Sequence, residues 1–274
     1  MKTIHKTLRP SLNKSVLNNT FEEDFFYSKK SYIHPSAIIG PDVKIGDNVK
    51  IGPYSILTGN IEIDNNTVIY PHVSIGAPAQ NLDTLKSLGK LKIGKNVKIR
   101  EFSSIGASKY EDGQTTIGDN CYIMSYCHVA HDVTLEENVT LINSVNLGGH
   151  VYVEKNAFLM ANCASHQFCR IGQFTSLAPY SAIRQDLPPF SMFSGLPAKY
   201  YGLNVIALKR AGFSQDSINA IKHIGKLFYQ DKVLLTEIEK KAAQETTWGS
   251  NEFVINFINF IKNSQRGVSK KAAI

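Results

Sequence analysis

The sequence predicts an all-β solenoid, a three-faced prism of parallel β coils, followed by a small α-helical C-terminal domain. Three observations predict it. Counting in sixes from Ile33 yields 23 hexapeptides, over residues 33–80, 93–110 and 117–188, and all but one begin with Ile, Leu or Val. A period of six is neither the helical 3.6 nor the strand's 2, so it marks a repeat architecture rather than one element. Second, Asn48, Asn66, Asn120, Asn138 and Asn156 share an 18-residue grid, each as the fourth residue of its hexad. Asn tolerates φ > 0, so this column marks one tight corner of a prism with three hexads per coil. Third, the repeat stops at Pro188-Pro189, beyond which apolar residues recur at helical spacing.

Along the chain, residues 1–31 read as an N-terminal extension, 32–190 as the prism and 191–274 as the helical domain. The first twenty residues carry Lys2, Lys6, Arg9 and Lys14 without an acid, but Glu22, Glu23 and Asp24 follow. A plain extension is favoured over an organellar transit peptide. Within the prism, glycine recurs at the second hexad position, for example Gly46, Gly106 and Gly148. Residues 81–92 and 111–116 break the pattern while the sixes on either side stay in phase, so they are expelled loops. Rigid scaffolds carry binding residues on such loops, which makes Gln80–Lys92 and Lys109–Thr115 candidate substrate walls. Cys121, Cys127, Cys163 and Cys169 all occupy the fifth hexad position, elsewhere held by Val43, Val97 or Ala157. They read as small buried hydrophobes rather than as a metal or disulfide set. In the C-terminal domain Ser214, Thr236 and Ser250 are candidate caps for three helices. Ile218, Ile221, Leu227 and Phe228, and then Phe253, Phe257, Phe260 and Ile261, are the faces to bury.

At 274 residues, 43% hydrophobic and 19% charged, the chain can bury a sizeable core. No apolar run approaches the roughly 20 residues of a membrane span, and no secretory signal is present, so a cytoplasmic enzyme is expected. A net charge of +7 predicts attraction to acidic partners. The basic residues are scattered, without the stripe or stacking motifs of a nucleic-acid binder.

Chemistry concentrates where the repeat carries histidines. His128, His131, His150 and His166 fall within three coils. Stacking by 18 puts His131, Gly149 and Gln167 in one column and Asp132, His150 and Phe168 in the next. Coils repeat at about 4.8 Å, so these residues form a patch of site dimensions on one corner. A neutral imidazole near a carboxylate is a standard general base, which makes His131 the candidate. Asp132 need not touch it, since neighbours in an extended chain point apart. Zinc is the rival use of these histidines, but it needs three ligands converging at about 2.0–2.1 Å, and His128 and His131 belong to different faces. No metal is expected. The one hexad lacking its aliphatic begins with Ser165, beside His166.

The strings His128-Val129-Ala130-His131-Asp132, Leu147-Gly148-Gly149-His150-Val151, His166-Gln167-Phe168-Cys169 and Gln185-Asp186-x-Pro188-Pro189 occur in order. They are followed by Gly202-x-Asn204, Leu208-Lys209-Arg210-x-Gly212-Phe213 and Arg266-Gly267. Together they resemble the acyl-carrier-protein-dependent UDP-N-acetylglucosamine O-acyltransferases of lipid A biosynthesis, over about residues 32–268. The resemblance implies left-handed parallel β-helices assembled as a homotrimer, with active sites at the clefts between subunits. It implies transfer of a 3-hydroxyacyl chain from acyl carrier protein to the sugar 3-hydroxyl. His131 would be the base, Asp132 its orienting partner and the Gly149 N–H the oxyanion donor. Gln80, Asn81, His128, His150, His166, Gln167, Asn204 and Arg210 would bind substrate. It implies no resident cofactor, because 4′-phosphopantetheine arrives on the acyl carrier protein.

The chain also departs from the family pattern. The family's Asn-Gln-Asp-Leu-Lys becomes Ala79-Gln80-Asn81-Leu82-Asp83, and Ile206 and Ala211 replace an acid and an arginine expected near the nucleotide. Pro179 stands where a small residue usually ends the acyl groove, which implies a shorter chain. The alternative is therefore a paralogue acting on a different nucleotide sugar or with a shorter acyl donor. A silent trimeric scaffold and a metal-dependent prism enzyme are the readings from other classes.

Overall fold

The computed structural model describes Phe25 and residues 30–80, 89–245 and 247–270. Asn81 and most of the first expelled loop therefore lie outside the described residues. Three sheets of ten, eight and seven strands form the faces of the prism, parallel throughout except for the last strand of the first sheet. The first begins with Tyr32–Ile33, the second with Ile38–Ile39 and the third with Val43–Ile45. Most strands are two residues long because each hexad spends the rest of its length turning a corner.

Register confirms three hexads per coil. Tyr32 pairs with Lys50 and Lys50 with Val68, each 18 residues on. Val68 then pairs with Lys98 and Lys98 with Tyr122, so insertions of twelve and six residues are looped out without loss of phase. The expelled segments are shorter than expected. Lys90–Ile93 and Gln114–Ile117 are four-residue strands of the third face, paired with each other in register.

From Ile51 to Ile183 every residue at the first hexad position is buried, Ser165 included, whereas Ile33 at the open first coil is 45% exposed. Each buried aliphatic stabilises by about 1.5–3 kcal/mol, which is the reason for the strict first position. The four cysteines are free and buried. They do more than fill space. Cys121, Cys127 and Cys163 approach the carbonyls of Glu136, Ile142 and Ala178 at 3.1–3.2 Å. Ser55 and Ser103, at the same hexad position, donate to Tyr70 and Met124 carbonyls at 2.8 and 2.7 Å.

The Asn column is left-handed as predicted, with φ between 57° and 62°. The same conformation also recurs at the other corners. Tyr54, His72, Phe102 and Tyr126 adopt it at the second corner, and Asp132, His150 and Phe168 at the third. Aromatic residues do not choose φ > 0 by themselves. At the second corner their rings stack 5.1–5.2 Å apart, which offsets the strain.

Past Pro188-Pro189 the first sheet continues through Ser191–Ser194 and the antiparallel Lys199–Leu203. Helix α1 (Val205–Arg210) is capped by Asn204 and α2 (Gln215–Gly225) by Ser214. The other two predicted caps are not used. Helix α3 (Leu235–Gln244) starts after Leu234 with no side-chain cap, leaving Thr236 inside it, and α4 (Glu252–Lys262) is capped by Asn251 rather than Ser250. Ile218, Ile221, Leu227, Phe257 and Phe260 are buried as predicted, while Phe228, Phe253 and Ile261 are half-buried. The tail returns to the prism, where Ser264 donates to the Asp186 carboxylate at 2.7 Å.

Candidate active site

The corner between the second and third faces carries Asp132, His150 and Phe168 one above another, each with φ near 60°. That backbone brings Asp132 and His131 together. In an extended strand the Asp132 side chain would point away from His131, but at a left-handed corner it folds back. Its Oδ2 lies 2.8 Å from His131 Nδ1. The two side chains are only 13% and 9% exposed.

His131 packs against Gly149 on the next coil. A Cβ at that position would meet His131 Cε1 at 2.6 Å and Nε2 at 2.7 Å, so the ring requires glycine there. Gly149 is also the third residue of its hexad. At the Asn corner the amide at that position is capped by a side chain of an adjacent coil, as in Asp47 to Asn65, Lys95 to Asp119 and Lys155 to Glu136. Among the described residues no such cap reaches the Gly149 N–H.

Asp132 is held from the other side by the short loop that follows Gly106. Ser108 Oγ donates to Oδ1, the Lys109 N–H approaches Oδ2 at 3.4 Å, and the Asp132 N–H donates to Thr115 Oγ1 at 2.8 Å. Burial pushes the Asp132 carboxyl up, but the hydrogen bonds from Ser108 and His131 and the Lys109 amide outweigh it, so the group stays below the usual aspartate range. The expected substrate wall Lys109–Thr115 is thus in large part a support for Asp132. Ser108 itself escaped the sequence reading. Once 111–116 is excised, Ser108 and Asp132 are both fourth residues of their hexads in one column, but a single serine among repeat turns carries no chemical signal of its own.

His150 packs edge-on to His131 with ring centroids 5.2 Å apart and stacks on Phe168 at 4.5 Å. Its Nε2 is 3.7 Å from Asp132 Oδ2 and, although buried, has no hydrogen-bond partner among the described residues. Burial lowers its pKa, against the pull of Asp132. His128 projects from the second face and shares a 2.8 Å hydrogen bond with Ser104 Oγ. Burial and then the nearby His131 lower its pKa. Gln80 lines the same small crevice as His128 and His131. His166 and Gln167 are exposed on the next coil, with His166 Nδ1 3.1 Å from the Gln167 carbonyl oxygen. A cleft of about 430 Å³ opens beside His150 and Phe168, lined also by Tyr152 and Arg170.

Two predicted residues lie elsewhere. Asn204 donates to the Phe174 carbonyl at 2.9 Å, and Phe174 belongs to the Asn corner. Arg210 is exposed in the last turn of α1. Neither meets His131 within this chain.

His131, Asp132 and His150 each offer one nitrogen or oxygen within 4.8 Å of the others, a spacing that can hold a metal ion. Zinc would draw these atoms to about 2.0–2.1 Å from one point. Here the carboxylate is already engaged by His131, Ser108 and the Lys109 amide, so the trio is built as a hydrogen-bonded dyad with His150 beside it. The cysteines lie outside this chemistry. Burial pushes the Cys121 thiol up to about 12 and those of Cys127 and Cys169 up to about 11.

Residues 186–269 match the family model described as UDP N-acetylglucosamine O-acyltransferase, domain 2. The bacterial transferase hexapeptide model matches residues 29–59, 42–77 and 114–149. An acyl-[acyl-carrier-protein]–UDP-N-acetylglucosamine O-acyltransferase of Thermodesulfovibrio yellowstonii is 39% identical over 257 residues, covering 87% of this chain and 99% of the relative. One from Herminiimonas arsenicoxydans is 37% identical, with the same coverage of both chains. The solved UDP-N-acetylglucosamine acyltransferase of Campylobacter jejuni superposes with a TM-score of 0.77 at 28% identity, over 89% of this chain and 99% of that one. The prism is accordingly a left-handed parallel β-helix.

Proposed function

Because the chain belongs to the acyl-[acyl-carrier-protein]–UDP-N-acetylglucosamine O-acyltransferase family and is an acyltransferase, we propose that it moves a 3-hydroxyacyl chain from acyl carrier protein to the 3-hydroxyl of UDP-N-acetylglucosamine, with His131 as general base. The observation that carries this reading is the His131–Asp132 pair lying against a glycine whose N–H no described residue caps. With Nδ1–H given to Asp132, Nε2 is left as a proton acceptor. It takes the proton of the sugar hydroxyl as that oxygen attacks the thioester carbonyl. Asp132 stabilises the imidazolium that forms, and the Gly149 N–H donates to the tetrahedral oxyanion. Collapse expels the carrier thiolate, which takes up the proton. Donors of this oxyanion kind are worth about 2.7–4 kcal/mol in other enzymes.

His128, His150, His166, Gln167 and Gln80 border the reacting corner and are assigned to substrate. Asn204 and Arg210 sit at another corner, so they reach a dyad only from a neighbouring copy of the chain, as a homotrimer with inter-subunit clefts requires. The +7 charge suits an acidic carrier protein as docking partner. The only prosthetic group in this reading is the 4′-phosphopantetheine of that carrier. Among the described residues no helix is long and apolar enough to cross a membrane, and a cytoplasmic location is proposed. A second reading, transfer to a different nucleotide sugar, is favoured by Ile206, which is 66% exposed on α1 where the family carries an acid.

The test offers UDP-N-acetylglucosamine and 3-hydroxyacyl carrier proteins of several chain lengths to wild type and to His131→Ala, with the product identified by mass spectrometry. Wild type is expected to turn over, with short chains preferred, and the variant to lose about 10²–10⁴ in rate. Turnover that survives in His131→Ala rejects the base. Turnover only with another nucleotide sugar selects the second reading.

A further inference from the structure

We infer that Ser108 is a positioning residue for the acyl-transfer base, the outer member of a Ser108–Asp132–His131 relay assembled by the loop that the repeat expels after Gly106. This rests on the reading of His131 as the base. Ser108 is fully buried, and its hydroxyl donates to Asp132 Oδ1 while Asp132 Oδ2 takes the His131 Nδ1–H. Both oxygens of the carboxylate are therefore committed, one on each side, which fixes its plane and with it the imidazole.

The loop is shaped for this purpose. The Tyr110 N–H donates to Ser108 Oγ at 3.0 Å, and of the two acceptors the hydroxyl faces, the Asp132 carboxylate is nearer than the Tyr110 carbonyl at 3.2 Å and carries the charge. A Cβ on Gly113 would meet Ser108 Oγ at 2.1 Å and Asp132 Oδ1 at 3.0 Å, so the chain passes over the pair only as glycine. Thr115, at the far end of the same loop, accepts from the Asp132 N–H and fixes the backbone of the residue being clamped. One loop thus holds Asp132 by its carboxylate and by its amide. A purely structural loop does not need to spend a buried hydroxyl on a carboxylate, because a buried charge is costly unless its acceptors are filled. Filling them here keeps Asp132 ionised beside His131.

The experiment compares Ser108→Ala and Ser108→Cys, each alone and combined with Asp132→Ala, in the full-length protein. Cysteine keeps the shape but donates weakly, so it carries the comparison where alanine impairs folding. The hydrogen bond reaches a charged group, so kcat is expected to fall about 10- to 100-fold in Ser108→Ala, with KM changed less than about twofold. In the Asp132→Ala background the same substitution is expected to change kcat by less than about twofold, because the relay is already cut. Full kcat in Ser108→Ala, or an undiminished loss in the Asp132→Ala background, overturns the proposal. A second readout needs no substrate. With 15N-labelled histidine, the His131 Nδ1-bound proton is expected to give a protected resonance in wild type and to be lost to exchange in Ser108→Ala. Equal protection in both proteins overturns the relay. Absence of turnover by wild type, by contrast, rejects the proposed reaction and leaves the relay to be decided by the resonance.

Discussion

Two corners of the prism share one backbone and differ in what their side chains are aimed at. At the Asn corner Asn48, Asn66, Asn96, Asn120, Asn138 and Asn156 are left-handed, and two of their side-chain amides donate to the next one along the stack, Asn48 to Asn66 at 3.2 Å and Asn96 to Asn120 at 3.1 Å. At the third corner the same position holds Asp132, His150 and Phe168 in the same conformation. There the polar groups turn sideways, Asp132 to its chain neighbour His131 and to Ser108 on the expelled loop. Buried His150 Nε2 has no hydrogen-bond partner among the described residues. Side chains bonded coil to coil make a corner stable; a corner whose Gly149 amide and His150 Nε2 meet no partner among the described residues is equipped to meet a ligand.

The largest break in that contrast is expected from Gly149→Ala. The new methyl would displace the His131 ring, and kcat should drop by at least ~10²-fold with the fold intact, checked by steady-state kinetics beside far-UV circular dichroism. An active Gly149→Ala enzyme would show that the ring does not need this seat. The mirror substitution at the structural corner is Asn66→Ala. It loses the bond from Asn48 and puts alanine at φ 62°, so it should cost about 1–2 kcal/mol in denaturant unfolding and leave kcat unchanged. Loss of activity there would erase the distinction between the corners.

Acid sharpens the same comparison. His128 and His150 are held below the ordinary imidazole value, so the unfolded chain binds their protons first. Their contribution to stability is complete above about pH 6.5 and erodes as pH falls from there toward their folded values. Asp132, held low, adds a loss at still lower pH, as it falls through the folded value. Thermal midpoints should therefore decline on acidification below about pH 6.5, and His150→Asn should flatten the first part of that decline. A midpoint that is constant or rises between pH 7 and 5.5 would contradict the assignment. The smallest effect is expected from Cys127→Ser. Ser103 already serves the same hexad position with the same kind of bond, so stability should change by less than about 1.5 kcal/mol and activity not at all.

The sequence disclosed the features that obey the repeat. Inward aliphatics every six residues are forced by burial, and the alignment of His131, Gly149 and Gln167 follows from counting coils. It disclosed the left-handed Asn corner because asparagine adopts that conformation on its own account. The equivalent conformation at Tyr54, His72, Phe102 and Tyr126 was hidden, since it is sustained by stacking between coils rather than by the residues themselves. The contact between His131 and Asp132 was hidden by assuming a strand where the chain turns. Ser108 was hidden because a lone serine in a turn carries no signal until the expelled loop is seen to fold it onto Asp132. Thr236 and Ser250 were misjudged as caps because either is a sound cap chemically, and only the tertiary start of each helix decides whether it is used.

The central claim is that the His131–Asp132 corner is where the acyl group is transferred. The most direct measurement is single-turnover transfer from a 3-hydroxyacyl carrier protein to UDP-N-acetylglucosamine by His131→Ala and wild type, with both thermal midpoints recorded. The account predicts a loss of about 10²–10⁴ in the transfer rate in a protein that still unfolds cooperatively, with a midpoint lowered only by the loss of the bond to Asp132. Transfer by the variant at the wild-type rate would contradict it.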